Sequence, residues 1–214
     1  MTTTRICLIR HGETLWNTER RLQGHTDIPL NARGQLQAQQ LALSLKKVHL
    51  TFDVLYTSDL KRASDTAAAI ATVYDVPMYA DHDLRERHFG VLQGITIDEA
   101  PSKQPHVWQA HLAREQDHEL EGGESISQLA FRVKGFLEKI EQKHSGQTIL
   151  IVSHGGTMDM MYRIASKQSL SSAREVSVPN ASLSWITHNT FGWTVERWGD
   201  TSHLEGPALE NVDL

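Results

Sequence analysis

Cysteine is nearly absent: Cys7 is the one thiol in 214 residues. That excludes an internal disulfide framework and a cysteine-rich zinc site. Cys7 lies inside the apolar run 6–9 and reads as a small buried apolar residue. No apolar run reaches the length that crosses a bilayer, and the opening Met1-Thr2-Thr3-Thr4-Arg5 holds no signal-peptide core. A cytoplasmic protein is expected. Asn180-Ala181-Ser182 matches a glycosylation sequon, which means little without a secretion signal. Positive charge is also short, with 21 Lys and Arg against 26 Asp and Glu, a net −5. A general polyanion-coating protein is excluded, so any anion site must be built locally. The dinucleotide glycine fingerprint, the P-loop and His-Glu-x-x-His are all missing. His106, His111 and His118 lie close together, but no two of them stand at i, i+4, so a metal hydrolase is poorly supported.

What is present is 39% hydrophobic residues, enough for one sizeable core. A single domain over 1–198 is expected. Runs 6–9 and 149–152 are short, rich in branched residues and followed at once by polar residues and glycine. They read as buried parallel strands. A third strand is expected over 52–56. Helical spacing of apolar residues covers 34–48, 59–74 and 125–144, the last with Ser125 as a cap, and a further helix is expected over 158–165. Strands alternating with helices predict an α/β fold: a three-layer α/β/α sandwich around a mostly parallel sheet. Segments 183–188 and 193–197 flank Asn189 and Gly192 as a hairpin, an antiparallel edge to that sheet.

Two segments are less regular. Residues 91–121 are polar and weakly periodic, with Pro101 and Pro105, and read as an insertion over the sheet's rim with one or two short helices. The tail, 199–214, has no Lys or Arg and carries Asp200, Glu205, Glu210 and Asp213. Composition alone marks it as disordered. If a surface orders it, over the site or on a partner subunit, Leu204, Leu209 and Val212 are the side chains expected to dock it.

The two buried strands end alike. The first runs into Arg10-His11-Gly12 and the later one into Ser153-His154-Gly155-Gly156. Ligand sites in open α/β sheets lie past the carboxyl ends of strands, so parallel neighbours would bring two imidazoles to one rim. Glycines behind them allow close backbone approach and leave amides exposed. Arg62 follows the third strand, and Glu86 sits within Leu84-Arg85-Glu86-Arg87-His88-Phe89-Gly90. Taken singly, each has a plainer reading: a structural histidine, a solvated arginine, a surface ion pair. Taken together, two guanidinium groups can fork onto phosphate oxygens, one imidazole can attack phosphorus, the other can stabilise charge, and an acid can protonate the leaving oxygen.

The sequence resembles the histidine phosphatase, or phosphoglycerate mutase-like, superfamily. The matching stretches are LIRHGETLWN at 8–17, LQGHTDIPLNARGQLQA at 22–38, YTSDLKRASDTA at 56–67, LRERHFGVLQG at 84–94, EGGESISQLAFRV at 121–133 and ILIVSHGG at 149–156. The resemblance implies a phosphoglycerate mutase-like fold and a small phosphatase that hydrolyses phosphate monoesters. It implies that His11 forms a phosphohistidine, that Arg10, Arg62 and His154 make the phosphate pocket, and that Glu86 is general acid and then base. Asn17, Gln23, Gly24 and the Gly155 N–H are implied to touch the ligand. No metal and no cofactor are implied, since the arginines supply the cationic clamp. The expected ligand is a small phosphorylated metabolite, not nucleic acid or a membrane, and a homodimer through the hairpin's free edge is open. Arg10 and Arg62 should disfavour an imidazolium at His11.

Two other functions remain open. One is a cofactor-dependent phosphoglycerate mutase, which must hold a second anionic group. Residues 91–122 offer only Lys103 and Arg114 as fixed cations against Asp98, Glu99, Glu115, Asp117, Glu119 and Glu121. That field suits a second phosphate badly. The other is a non-catalytic phosphate-binding regulatory module on the same scaffold.

Overall fold

The structure is a computed structural model, and it describes residues 2–210. Its strands and helices follow in order: β1 Thr4–Arg10, α1 Leu15–Thr18, α2 Ala32–Lys47, β2 Val54–Thr57, α3 Lys61–Tyr74, β3 Met78–Ala80, α4 Ala100–Lys103, α5 Pro105–Ala113, α6 Ile126–Lys143, β4 Thr148–Ser153, α7 Gly155–Ser166, β5 Leu183–Asn189 and β6 Gly192–Asp200. The sheet has six strands in the order β3-β2-β4-β1-β5-β6. β3, β2, β4 and β1 are parallel, and β5 and β6 form the antiparallel edge. The two His-Gly strands are direct neighbours, with Arg10 paired to Ser153.

Alternation along the strands divides the core in two. Ile6, Leu8, Ile149 and Ile151 face α6 and α7, packing with Phe136, Leu137 and Met158. Cys7, Ile9, Leu55, Leu150 and Val152 face α2 and α3, packing with Leu41, Ala67 and Ile70. Each central strand is buried on both sides, which is why its run is continuously apolar. Truncating the fully buried Phe136 to alanine would cost about 3–5 kcal/mol. α6 carries a capping box, with the Ser125 hydroxyl accepting from Gln128 N–H and the Gln128 side chain returning to Ser125 N–H.

Several boundaries differ from expectation. β3 was not legible because all three of its residues are exposed at the sheet's edge. α7 begins at Gly155, not at 158, so both glycines after His154 lie in its first turn. β6 continues through Gly199 and Asp200. Within residues 91–121, Leu92, Ala100, Trp108 and Leu120 form a third small core with Leu22 and Phe89.

The described part of the tail is docked, against what composition predicts. Polar groups hold it more than apolar side chains do. The Leu209 carbonyl accepts from Asn180 N–H at 2.9 Å, the Pro207 carbonyl accepts from Arg33 at 2.5 Å, and the His203 ring meets the Ala181 carbonyl at 3.0 Å. Leu209 itself stays 38% exposed. Val212 lies outside the described residues.

Candidate active site

His11 sits one residue beyond β1, and its backbone is held on two sides. Its N–H donates to the Ser153 carbonyl at 3.0 Å, and its carbonyl accepts from Ala181 N–H and from Asn180 Nδ2. Asn180 is fully buried in that contact, so the sequon cannot carry a glycan in the folded chain. Gly12 then passes close to α2: a Cβ on it would lie 2.6 Å from the Gly34 carbonyl oxygen. Only glycine lets the two backbones meet there.

The His11 ring is oriented by its own neighbour. Nδ1 stands 2.7 Å from the Gly12 carbonyl oxygen. A carbonyl only accepts, so Nδ1 carries the proton and Nε2 keeps its lone pair. The His154 ring lies 5.1 Å away, centroid to centroid. Neither His154 nitrogen has a hydrogen-bond partner among the described residues. Both imidazoles are held well below the usual histidine range. Burial is the largest cause in each case, followed by the positive charge of Arg62; Arg10 adds to it. The sequence reading placed the arginines first; desolvation outranks them because both rings are almost completely enclosed.

Backbone carbonyls anchor the two arginines. Arg10 Nη1 donates to the Val178 carbonyl at 2.7 Å and to that of Leu209 at 3.3 Å. Arg62, in the first turn of α3, donates to the carbonyls of Thr26 and Gly24 at 2.9 and 2.7 Å. Asn17 is the N3 residue of a capping box: its Oδ1 accepts from Thr14 N–H and Oγ1, both at 3.0 Å, which fixes the side-chain amide. Gln23 and Gly24 are buried in the neighbouring loop.

Glu86 reaches the same rim from the segment after β3. Its Oε1 accepts from Arg87 N–H at 2.8 Å and its Oε2 from Gly156 N–H at 3.0 Å. Its carbonyl accepts from Arg132 at 2.8 Å, and Arg132 is paired in turn with Glu124. The Ser153 and Thr157 hydroxyls donate to the Leu84 and Arg85 carbonyls. Sequence reasoning missed Gly156, Arg132, Glu124, Ser153 and Thr157 as supports. All but Thr157, one residue past the last stretch, lie in quoted motifs, but only tertiary structure shows that they converge on the Glu86 segment. Beside Gly155, whose amide the resemblance assigns to the ligand, the Gly156 N–H is the one that meets the Glu86 carboxylate. Arg85, next in sequence, makes the surface ion pair instead, to Asp59 at 2.6 Å.

Arg10, His11, Asn17, Gln23, Arg62, Glu86 and His154 are thus all buried at the carboxyl ends of the parallel strands. Among the described residues no group of three His, Cys, Asp or Glu side chains is arranged for a metal, and no helix is long and apolar enough to cross a membrane.

A mixed sheet with two neutral imidazoles and two anchored arginines at one rim is the layout of a phosphate-handling α/β enzyme. The chain belongs to the histidine phosphatase superfamily (branch 1), whose family model matches residues 6–201. It is 41% identical over 204 residues to phosphoglycerate mutase-like protein 4 of Arabidopsis thaliana, covering 94% of this chain and 86% of the relative. It is 40% identical over 204 residues to a metal-independent phosphoserine phosphatase of the same plant, covering 94% and 83%. Among solved structures it resembles the phosphoserine phosphatase of Entamoeba histolytica, determined with 3-phosphoglyceric acid, at a TM-score of 0.84 and 27% identity, covering 94% of this chain and all of that one (100%).

Proposed function

We propose that this protein is a phosphatase that hydrolyses small-molecule phosphate monoesters through a phosphohistidine on His11. The observation that carries the reading is the 2.7 Å contact between His11 Nδ1 and the Gly12 carbonyl, which leaves Nε2 as the nucleophile. In the first step an Nε2–P bond forms and the bond from phosphorus to the ester oxygen breaks. Glu86 supplies the proton to the departing alkoxide. Arg10, Arg62 and His154 stabilise the charge on the transferred group, with Asn17, Gln23, Gly24 and the Gly155 N–H around it. In the second step water attacks phosphorus, Glu86 takes its proton, and the N–P bond breaks to release phosphate. The ligand is a small phosphorylated metabolite. Residues 91–121 are the element that selects it.

The test is hydrolysis of p-nitrophenyl phosphate, with the phosphoenzyme trapped under alkaline quench. His11→Ala should abolish turnover and label while leaving the melting temperature nearly unchanged. Label on His154 instead would reverse the two roles. No turnover by the native enzyme on any monoester would favour the phosphate-binding module. A mutase remains the second reading, because one relative is named phosphoglycerate mutase-like and because Arg87, Arg114 and Arg174 gather beside Gly156, which holds Glu86. Given 3-phosphoglycerate with a trace of 2,3-bisphosphoglycerate, a phosphatase releases inorganic phosphate, whereas a mutase forms 2-phosphoglycerate with little release.

A further inference from the structure

Residues 85–89 belong to no helix or strand, yet they carry Glu86, the proposed proton donor. Two side chains at the start of α6 supply the order that regular structure does not: Glu124, just before the Ser125 cap, and Arg132, in the second turn. Arg132 Nη1 donates to the carbonyls of Asp83 at 2.8 Å and Arg85 at 2.7 Å. Its Nη2 donates to the Glu86 carbonyl at 2.8 Å and to Glu124 Oε2 at 3.0 Å, and its Nε donates to Glu124 Oε1 at 2.8 Å. A guanidinium has five N–H groups, and these contacts use all of them. None is left over for a substrate.

Glu124 holds the other side of Glu86. Its Oε2 accepts from His88 N–H at 2.8 Å, its carbonyl accepts from Arg87 Nε at 2.9 Å, and its own N–H donates to the His88 carbonyl at 2.8 Å. The pair therefore grips the chain before Glu86, at Glu86 and after it. Burial works to raise the Glu124 pKa, but Arg132 and the His88 N–H hold it below the ordinary carboxylate range, so the pair stays ionic. The Glu86 carbonyl takes a second donor, His25 Nε2 at 2.7 Å, which fills both of its lone pairs. The helix behind this grip is firmly seated: Leu129, Val133 and Phe136 bury the inner face of α6 in the core.

We propose that Arg132, ion-paired to Glu124, is a positioning residue for proton transfer: it fixes the backbone from which the Glu86 carboxyl reaches the leaving oxygen. The inference rests on the phosphatase reading and adds to it a residue that touches neither substrate nor phosphorus. Arg132 acts through Glu86 in both steps, when that group gives a proton and when it takes one from water. A displacement of about 1 Å at a catalytic group costs on the order of a hundredfold in rate, so the backbone under Glu86 has to be held this tightly.

The experiment is a double-mutant cycle between Arg132→Lys and Glu86→Gln, read as the rate of phosphohistidine formation by rapid quench. Lysine keeps the charge and loses the planar fork. The two substrates, phenyl phosphate and p-nitrophenyl phosphate, differ in how much their leaving oxygen needs a proton. Arg132→Lys should slow phosphorylation by phenyl phosphate about tenfold to a hundredfold, and by p-nitrophenyl phosphate less than about threefold. On p-nitrophenyl phosphate the variant should also hold a larger steady-state fraction of phosphohistidine than the native enzyme, because the second step has lost its placed base. In the Glu86→Gln background the same change should cost less than about twofold on either substrate. Glu124→Gln sets an amide N–H₂ against a donor and should follow the same pattern; it carries the cycle if thermal melting shows Arg132→Lys unfolded. No loss on phenyl phosphate, equal losses on both substrates, or losses that add to those of Glu86→Gln would each overturn the proposal. If the native enzyme fails on p-nitrophenyl phosphate and forms no phosphohistidine, the phosphatase reading itself has failed.

Discussion

The Gly156 N–H donates to Glu86 Oε2 at 3.0 Å, and a Cβ at position 156 would collide with Glu86 Oε1. The second glycine of the Ser153–Gly156 turn therefore makes room for the carboxylate and also holds it. Gly156→Ala should push Glu86 out of place while leaving His11 and its Gly12 contact intact. The expected outcome is a fall in kcat of roughly tenfold to a hundredfold on alkyl phosphates, with burst formation of phosphohistidine from p-nitrophenyl phosphate retained. Rapid-quench kinetics on both substrates checks it.

Glu86→Gln keeps the shape and removes the proton. Alkyl phosphates need a proton on the leaving oxygen, whereas p-nitrophenolate leaves readily without one. The variant should lose about a hundredfold or more on the first class and much less on the second. Equal losses on both would remove Glu86 from the donor role.

Much of this arrangement was legible in the sequence. Strands β1 and β4 are covered on both faces, so their apolar runs stand out, and the His-Gly pairs at their ends mark the rim. What was illegible depended on contacts between distant segments. β3 gives no apolar signal because its side chains are exposed. Gly156 looks like Gly155 until Glu86 arrives. Arg87, Arg114 and Arg174 are far apart in the chain, and adding up charge by segment hides the fact that the cations turn inward while the acids stay at the surface. The tail looks disordered because its order comes from backbone carbonyls, which composition does not register.

The tail gives a third prediction. The Leu209 carbonyl accepts from Arg10, one of the two arginines proposed to clamp phosphate, and from the Asn180 N–H, whose side chain supports the His11 carbonyl. Truncation after Gly206 removes both contacts and leaves β6 complete. KM should rise severalfold, with the melting temperature falling only slightly, because the tail adds little to the apolar core. Steady-state kinetics on the truncated chain decides this, and an unchanged KM would show that the tail does not tune Arg10.

The buried histidines set how stability depends on pH. In the folded chain His111 is depressed to about 3 and His25 to about 4, and His11 and His154 lie well below the ordinary 6.5. Burial is the leading cause in all four. In the unfolded chain each takes up a proton as the pH drops through about 6.5. Between that value and its folded pKa, the unfolded state binds more protons than the folded one. Stability is therefore fully present above about pH 6.5 and declines as the pH falls, by at most about 1.4 kcal/mol per pH unit for each fully buried histidine. Denaturant midpoints should be flat from pH 7 to 8 and drop steeply between pH 6 and 4. His111→Gln, which cannot take up a proton, should flatten that slope by close to one proton's worth in the plot of unfolding free energy against pH. Unfolding curves measured at half-unit steps provide the check. An unchanged slope would mean that His111 titrates alike in both states.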